Sequence, residues 1–166
     1  KGDLGESIVD KFIYENIDYI PYIPSPEFNC AHPFDRLCAS KDKKNLFIAE
    51  CKTKARRTYY PDTGINQSSY DNYKYIRDKY DIAIYLFFVD EHQKEIYGNY
   101  LKELEKPRQI KIRNRIILYP WIQKNKFGTN EIYFPLEAMI TICTLNDDII
   151  SKLINLSTRN WKYPDS

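Results

Sequence analysis

The stretch Ile82-Ala83-Ile84-Tyr85-Leu86-Phe87-Phe88-Val89 is the most apolar window of the sequence. A run this uniformly apolar predicts a strand that is buried on both faces, with helices covering both sides of its sheet. A helical pattern over residues 64–80 precedes this strand, and a strand pattern over residues 45–53 precedes the helix. Strand, helix and buried strand in succession indicate an α/β layered fold.

The pattern outward from this unit predicts further elements. Residues 3–17 predict a leading helix, in which Asp3 and Glu6 have capping-box spacing. Prolines restrict residues 19–23 to an edge strand or an extended loop. In the helix over residues 64–80 we expect Asp62 or Thr63 as the cap, and Ile65, Ser69, Tyr73, Ile76 and Tyr80 on the inner face. The other expected elements are strands over residues 34–39, 94–97, 111–119 and 131–134, a short helix over 100–105, a segment over 136–141 that is ambiguous between helix and strand, and a last helix capped by Asp147 that runs to about residue 156.

Composition excludes two classes of protein. The chain has 166 residues, of which 43% are hydrophobic and 29% charged, so a disordered chain is excluded. No apolar run is long enough to span a bilayer, and no apolar signal sequence is visible. The length favours a single domain over residues 1–166. Cys30, Cys38, Cys51 and Cys143 lack metal-binding spacing with one another or with His32, so we expect reduced thiols in a cytoplasmic protein without a membrane partner. Because the first residue is Lys1, the sequence leaves open whether residues precede it.

The residues that carry chemistry lie on the hairpin formed by the strand patterns over residues 34–39 and 45–53. Side chains alternate along a strand, so Glu50, Lys52 and Lys54 should share one face, and Asp35 should lie within reach of Glu50 if the register brings them level. Two carboxylates with water completing the shell suit Mg²⁺, and a neighbouring lysine can orient the attacking water and offset charge on a phosphoryl oxygen. This combination indicates phosphodiester hydrolysis. The alternative is a Glu-x-Lys pair of solvated charges on an exposed strand, which is common.

The hairpin resembles the motif of the PD-(D/E)XK nuclease superfamily. Pro33-Phe34-Asp35 corresponds to the PD element with one residue inserted, and Glu50-Cys51-Lys52 corresponds to the (D/E)XK element. The resemblance extends in order over residues 2–90, which leaves residues 91–166 as a C-terminal elaboration. It implies a restriction-endonuclease-like fold, with a central mixed β-sheet flanked by helices on both faces.

The resemblance also implies roles for individual residues. Asp35, Glu50 and Lys52 would be catalytic, with Asp35 and Glu50 binding Mg²⁺, for which Mn²⁺ would substitute. Glu6 on the leading helix would be a further metal ligand, and Gln67 and, less securely, Tyr70 would assist at the site. Lys54 would contact the phosphate. The alternatives are that Glu6 caps its own helix and that Gln67 is a solvated residue of a first helical turn.

The basic residues are unevenly distributed, although the formal net charge is only +2. Residues 41–57 contain seven basic residues against two acidic ones, and residues 102–126 contain eight against two. Such clusters contact phosphates, and the loop with Arg56, Arg57 and Tyr59 adds a ring for base stacking. Arg113 and Arg115 are expected on one face of a strand, facing nucleic acid. The alternative for such runs is a solvated face.

These features together predict a Mg²⁺-dependent nuclease that hydrolyses DNA phosphodiester bonds. An endonuclease acting in restriction, repair, junction resolution or mobile-element processing is expected, with double-stranded or branched DNA as the partner and a homodimer as one arrangement. A catalytically inactive nucleic-acid-binding module and an interaction domain of a larger protein, both with the same fold, are the alternatives.

Overall fold

The structure is a computed structural model that describes residues 1–22 and 34–156. Helices, strands and one 3₁₀ turn alternate along these residues. In chain order they are α1 (Gly2–Asn16), β1 (Tyr19–Tyr22), β2 (Arg36–Ser40), β3 (Leu46–Thr53), β4 (Asp62–Asn66), α2 (Gln67–Tyr80), β5 (Ala83–Asp90), β6 (Glu95–Tyr100), α3 (Leu101–Leu104), β7 (Arg108–Ile112), β8 (Arg115–Tyr119), β9 (Trp121–Lys124), β10 (Asn130–Pro135), the 3₁₀ turn Leu136–Ala138, β11 (Ile140–Thr144) and α4 (Asp147–Asn155).

A mixed six-stranded sheet forms the centre of the fold, in the order β1-β2-β3-β5-β6-β11. β3 and β5 are parallel, and the other neighbouring strands are antiparallel. A three-stranded sheet in the order β4-β10-β9 and the two-stranded ribbon β7-β8 accompany it. The prediction of an α/β fold with a central mixed sheet is therefore confirmed, and the proline-containing β1 lies at an edge as expected.

The alternating side chains of β5 belong to two different apolar clusters. Leu86 and Phe88 belong to a cluster that includes Tyr73 of α2 and Leu101 of α3. The alternate residues Phe87 and Val89 belong to a second cluster, which includes side chains of α1 and α4. The sheet therefore buries both sets of β5 side chains, as the uniformly apolar sequence of this strand predicted.

Two element predictions are wrong. The first fails because pairing with a distant strand overrides the local pattern, and the second fails because a two-residue turn divides the segment into a hairpin. Residues 62–66 form β4 instead of the first turn of a helix, since Ile65 pairs with Ile132 in the small sheet. The helix begins at Gln67, its N-cap is Asn66, and Tyr80 is exposed instead of inward-facing. Residues 111–119 form two strands with a turn between them, at which Arg113 has a φ of 54°. Arg113 and Arg115 therefore do not share the face of one strand.

Smaller differences concern helix ends and short strands. Asn146, and not Asp147, caps α4, because its side chain accepts a hydrogen bond from the backbone N–H of Ile149. Lys1 occupies the N-cap position of α1, so Asp3 lies in the first turn instead of capping it. The strand pattern missed β9, and the ambiguous segment over 136–141 divides into the 3₁₀ turn and β11.

Some predictions fall outside the described residues, namely those for Ile23, Cys30, His32 and Pro33. Cys38, Cys51 and Cys143 lie in strands and form no disulfide within the described part of the chain. Over residues 1–22 and 34–156, no helix combines the length and the apolar character needed to cross a membrane.

Candidate functional site

The antiparallel pairing of β2 with β3 brings Asp35 and Glu50 level. Arg36 pairs with Ala49, so the preceding residue Asp35 lies opposite Glu50. The backbone N–H of Asp35 donates to Oε2 of Glu50 at 3.1 Å, and the N–H of Cys51 donates to Oδ2 of Asp35 at 2.7 Å. These reciprocal bonds hold the two carboxylates side by side at the end of the hairpin.

Glu50 is buried, with 3% of its surface exposed, and its carboxylate has two further donors. Nζ of Lys52 lies 2.5 Å from Oε1 of Glu50, and the hydroxyl of Tyr73 donates to the same oxygen. Lys52 also lies over the ring of Tyr73, with Nζ 5.8 Å from the centroid. Both oxygens of the carboxylate therefore accept hydrogen bonds, as a buried charge requires.

The environment shifts the ionisation of this group in opposing directions. Burial is the main cause that raises the pKa of Glu50 above its usual value, and the charge of Asp35 acts in the same direction, while Lys52 and Tyr73 act against it. Burial is the largest single influence on Lys52 and disfavours its ammonium, but the charges and hydrogen bonds of Glu50 and Tyr73 together outweigh it and raise the pKa of Lys52. Two adjacent carboxylates therefore face one ammonium, an arrangement that favours a further cation.

Tyr73 is a site residue that the sequence interpretation treated only as part of the inner face of a helix. Its ring packs in the core, and its hydroxyl reaches the carboxylate of Glu50. A tyrosine at an inward-facing helical position needs a partner for its hydroxyl. That requirement is the feature of the sequence that could have indicated a site role for Tyr73, but it does not identify which polar group on the sheet the hydroxyl reaches.

The structure does not bring Glu6 into the carboxylate pair. Oε2 of Glu6 lies 3.0 Å from Nη1 of Arg36, and Arg36 also bonds Asp10 on the same helix at 2.9 Å. Glu6 does not cap α1 either, since the helix begins at Gly2. Within residues 1–22 and 34–156, no three His, Cys, Asp or Glu side chains lie close enough to hold a metal ion together. The arrangement is a two-carboxylate site.

Gln67 and Tyr70 lie on the first turn of α2 in different surroundings. Gln67 is the first residue of the helix and is half-buried. Tyr70 donates its hydroxyl to Oε1 of Glu105 at 2.8 Å, and Glu105 also accepts from Arg77 at 2.5 Å. Burial and this bond raise the pKa of Tyr70. Tyr70 is therefore bound to the residue that follows α3, and its hydroxyl is not brought to Glu50.

The cations that follow the motif strand are bound to carboxylates of this chain. Nζ of Lys54 lies 2.8 Å from Glu131 and donates to the carbonyl of Gly64 at 3.1 Å. Arg56 binds Asp90 at 2.9 Å and Glu95 at 2.7 Å.

Arg57 forms two bonds of 2.6 Å with the fully buried Asp62, and its guanidinium lies 3.7 Å from the ring centroid of Tyr133. In contrast, Tyr59 is exposed, with the guanidinium of Arg113 lying 4.5 Å from its ring centroid. Charge in the first basic cluster is thus largely neutralised within the fold.

Comparison with known proteins gives one structural likeness. No family model matches the chain, and no curated protein matches it. The 1.6 Å structure of Archaeoglobus fulgidus Hjc, a Holliday junction resolvase from an archaeal hyperthermophile, is similar with a TM-score of 0.48 and 6% sequence identity. The likeness covers 89% of this chain and 96% of that chain. At this level of similarity, the site has to be interpreted from its own residues.

Proposed function

We propose that this chain is a Mg²⁺-dependent nuclease that hydrolyses phosphodiester bonds of DNA. The observation that carries the proposal is the placement of Asp35 beside Glu50, with Lys52 bound to Glu50 at the end of the same hairpin. The three residue types of a PD-(D/E)XK motif thereby meet in space, although 15 positions separate the two carboxylates in the chain. In a set of isolated solvated charges, Glu50 would not be buried and bonded to both Lys52 and the Asp35 backbone.

The donor set fits a magnesium ion. Mg²⁺ prefers oxygen ligands, keeps several waters and is bound through one or two carboxylates. Asp35 and Glu50 would hold it, and the adjacency of their charges supplies the negative potential that attracts it. When bound, the ion would act as a Lewis acid on a phosphoryl oxygen.

The chain's own residues would position the reactants. Lys52 would orient the attacking water and offset the negative charge that develops on a phosphoryl oxygen. Tyr73 would act as a positioning residue, because its hydroxyl fixes one oxygen of Glu50. Gln67, at the start of α2, would assist at the edge of the same site.

The biological setting is also a proposal. We propose an endonuclease that acts on double-stranded or branched DNA, in restriction, repair, junction resolution or mobile-element processing. The homodimer and the cytoplasmic location stay predictions. Light scattering of the purified protein, which measures its mass in solution, tests the dimer directly.

Cleavage of supercoiled plasmid and of single-stranded DNA tests the assignment. We expect activity with Mg²⁺ or Mn²⁺, and a loss of about 100-fold or more in Lys52→Ala and Asp35→Ala, a scale typical of removing one transition-state contact. Lys11→Ala, which removes an exposed lysine from α1, is the matched control and should retain activity. Undiminished cleavage by both site variants would overturn the assignment of Asp35 and Lys52. A wild-type protein that cleaves DNA with neither Mg²⁺ nor Mn²⁺ would overturn the proposed nuclease activity.

A binding module without catalysis is the second candidate. It is favoured by the hydrogen bonding of Glu50, whose two oxygens accept from Lys52, Tyr73 and the Asp35 backbone. Calorimetric titration with Mn²⁺ distinguishes the two functions. Binding that is lost in Asp35→Ala supports the nuclease, whereas DNA binding without any Mn²⁺ binding supports the module.

A further inference from the structure

The two basic clusters of the sequence differ in how their charges are balanced. The acidic residues of the second cluster, Glu103 and Glu105, precede the stretch of residues 106–130, which contains seven basic residues and no Asp or Glu. Among the described residues, no carboxylate forms an ion pair with Lys111, Arg113 or Arg115, in contrast to Lys54, Arg56 and Arg57 after the motif strand. An uncompensated positive surface favours an anionic partner.

The ribbon β7-β8 carries this charge on a hairpin with two unlike faces. Its inner face contributes Ile110, Ile117 and Tyr119 to a small apolar cluster. Its outer face is formed by Gln109, Lys111, Ile116 and Leu118, which are all exposed and which pair as Gln109 with Leu118 and Lys111 with Ile116. Ile116 and Leu118 are 70% and 60% exposed, although both are large apolar residues.

We propose that this ribbon lies in the major groove of duplex DNA, with its outer face toward the base edges. The inference deepens the proposed function and rests on it for the choice of DNA as the polyanion. A five-residue strand is about 17 Å long, and the major groove, about 12 Å wide, admits a two-stranded ribbon. Each outer-face side chain then has a partner of matching chemistry in the groove.

The outer face combines the two kinds of contact that base edges offer. Gln109 and Lys111 carry donors for the purine acceptors, and Ile116 and Leu118 present apolar surface to thymine methyl groups. Arg113 lies in the turn and Arg115 is the first residue of β8, and both would contact phosphates beside the groove.

The turn of the ribbon is attached to the loop that follows the motif strand. Nη1 of Arg113 donates to the hydroxyl of Tyr59 at 2.8 Å, and the guanidinium stacks on the Tyr59 ring. Tyr119, at the other end of β8, bonds the buried Asp62 at 2.7 Å. These contacts set the direction of the ribbon relative to the strand that carries Glu50 and Lys52.

Fluorescence anisotropy with a labelled 20-base-pair duplex tests the ribbon in the presence of EDTA, where cleavage is not needed. The triple variant Lys111→Gln, Arg113→Gln, Arg115→Gln should bind at least about tenfold more weakly at 0.1 M salt, and its salt slope should fall by about 2.7. The matched control is Lys11→Gln, Lys74→Gln, Lys152→Gln, which removes the same net charge from helices at three exposed lysines that form no salt bridge within residues 1–22 and 34–156. Equal affinities of the two triple variants would overturn the inference.

Two further measurements separate the groove from other surfaces. The variant Ile116→Thr, Leu118→Thr should lose about three- to tenfold in affinity with an unchanged salt slope, since it removes apolar contacts only. A duplex whose cytosines carry glucosylated hydroxymethyl groups, which fill the major groove, should bind at least about tenfold more weakly to the wild type. Equal binding of modified and unmodified duplexes would refute the placement. Binding to phosphatidylserine vesicles without binding to the duplex would assign the ribbon to a membrane surface and also overturn the inference.

The binding experiments distinguish a failure of this inference from a failure of the proposed nuclease function. Ribbon-dependent binding by a protein that does not cleave DNA would leave this inference standing and overturn the proposed function. DNA cleavage at the wild-type rate by both ribbon variants would leave the proposed function standing and overturn this inference. All substituted side chains of the ribbon are exposed, so a melting temperature within about 3 °C of the wild type is expected for each variant.

Discussion

The hydroxyl of Tyr73 offers a direct test of the candidate site. Tyr73→Phe removes one oxygen and leaves the ring, so the core keeps its packing while Glu50 loses a donor. Hydrogen bonds to charged groups contribute about 1.5–3 kcal/mol. For a chain of this length, 1 kcal/mol corresponds to about 2–4 °C, so the melting temperature should fall by about 3–12 °C.

The assay is thermal and urea unfolding of the wild type, Tyr73→Phe, Glu50→Leu and the double variant. Because the lost contact requires Glu50, the effect of Tyr73→Phe should shrink by at least about 1 kcal/mol in the Glu50→Leu background. Tyr75→Phe, which alters an exposed tyrosine of the same helix, is the control and should change the free energy of unfolding by less than about 0.5 kcal/mol. A similarly small effect of Tyr73→Phe, or strict additivity in the double variant, would refute the assigned role.

Three further substitutions probe the surroundings of the site. Arg57→Met leaves the buried Asp62 without its cation, which should cost about 3–5 kcal/mol in unfolding experiments while DNA affinity of the folded protein is unchanged. Burial opposes the charged form of Glu131, but bonds from Lys54 and neighbouring side chains outweigh it and lower its pKa. Its stabilising contribution is therefore present above the unfolded pKa of about 4.3 and is lost as pH falls through the folded value, so Glu131→Gln should flatten the decline of melting temperature between about pH 5 and 3. Gly98→Ala places a Cβ 1.9 Å from the carbonyl oxygen of Leu86 and should destabilise the β5-β6 pair by about 1–3 kcal/mol or more, measured by urea unfolding.

Each of these expectations has a contrary result. A cost below about 1 kcal/mol for Arg57→Met would show that Asp62 finds other compensation. If the melting temperature of Glu131→Gln declined with falling pH as steeply as that of the wild type, the stabilising contribution of the Glu131 carboxylate would be contradicted. Wild-type stability of Gly98→Ala would contradict the close approach of β6 to β5.

Local patterns predicted the parts of the fold that short-range forces specify. The apolar run that became β5 and the hairpin of β2 with β3 depend on the two-residue period of a strand and on a short connection. Those same local rules put Asp35 within reach of Glu50 if the register brought them level, and the observed register of β2 with β3 does so. β4 was missed since its partner is β10, whose residues lie more than 60 positions along the chain.

The sequence alone determined which residue types lie close together along the chain in the motif and just after it. The tertiary structure decided which of the basic residues are free to contact nucleic acid. Lys54, Arg56 and Arg57 all looked like contacts for nucleic acid, yet each is bound to a carboxylate of the fold. Glu131 and Asp90, which bind Lys54 and Arg56, lie 77 and 34 positions away from them in the chain. Charge pairing acts through space over a few ångströms, so a local count of basic residues cannot show which of them are already neutralised.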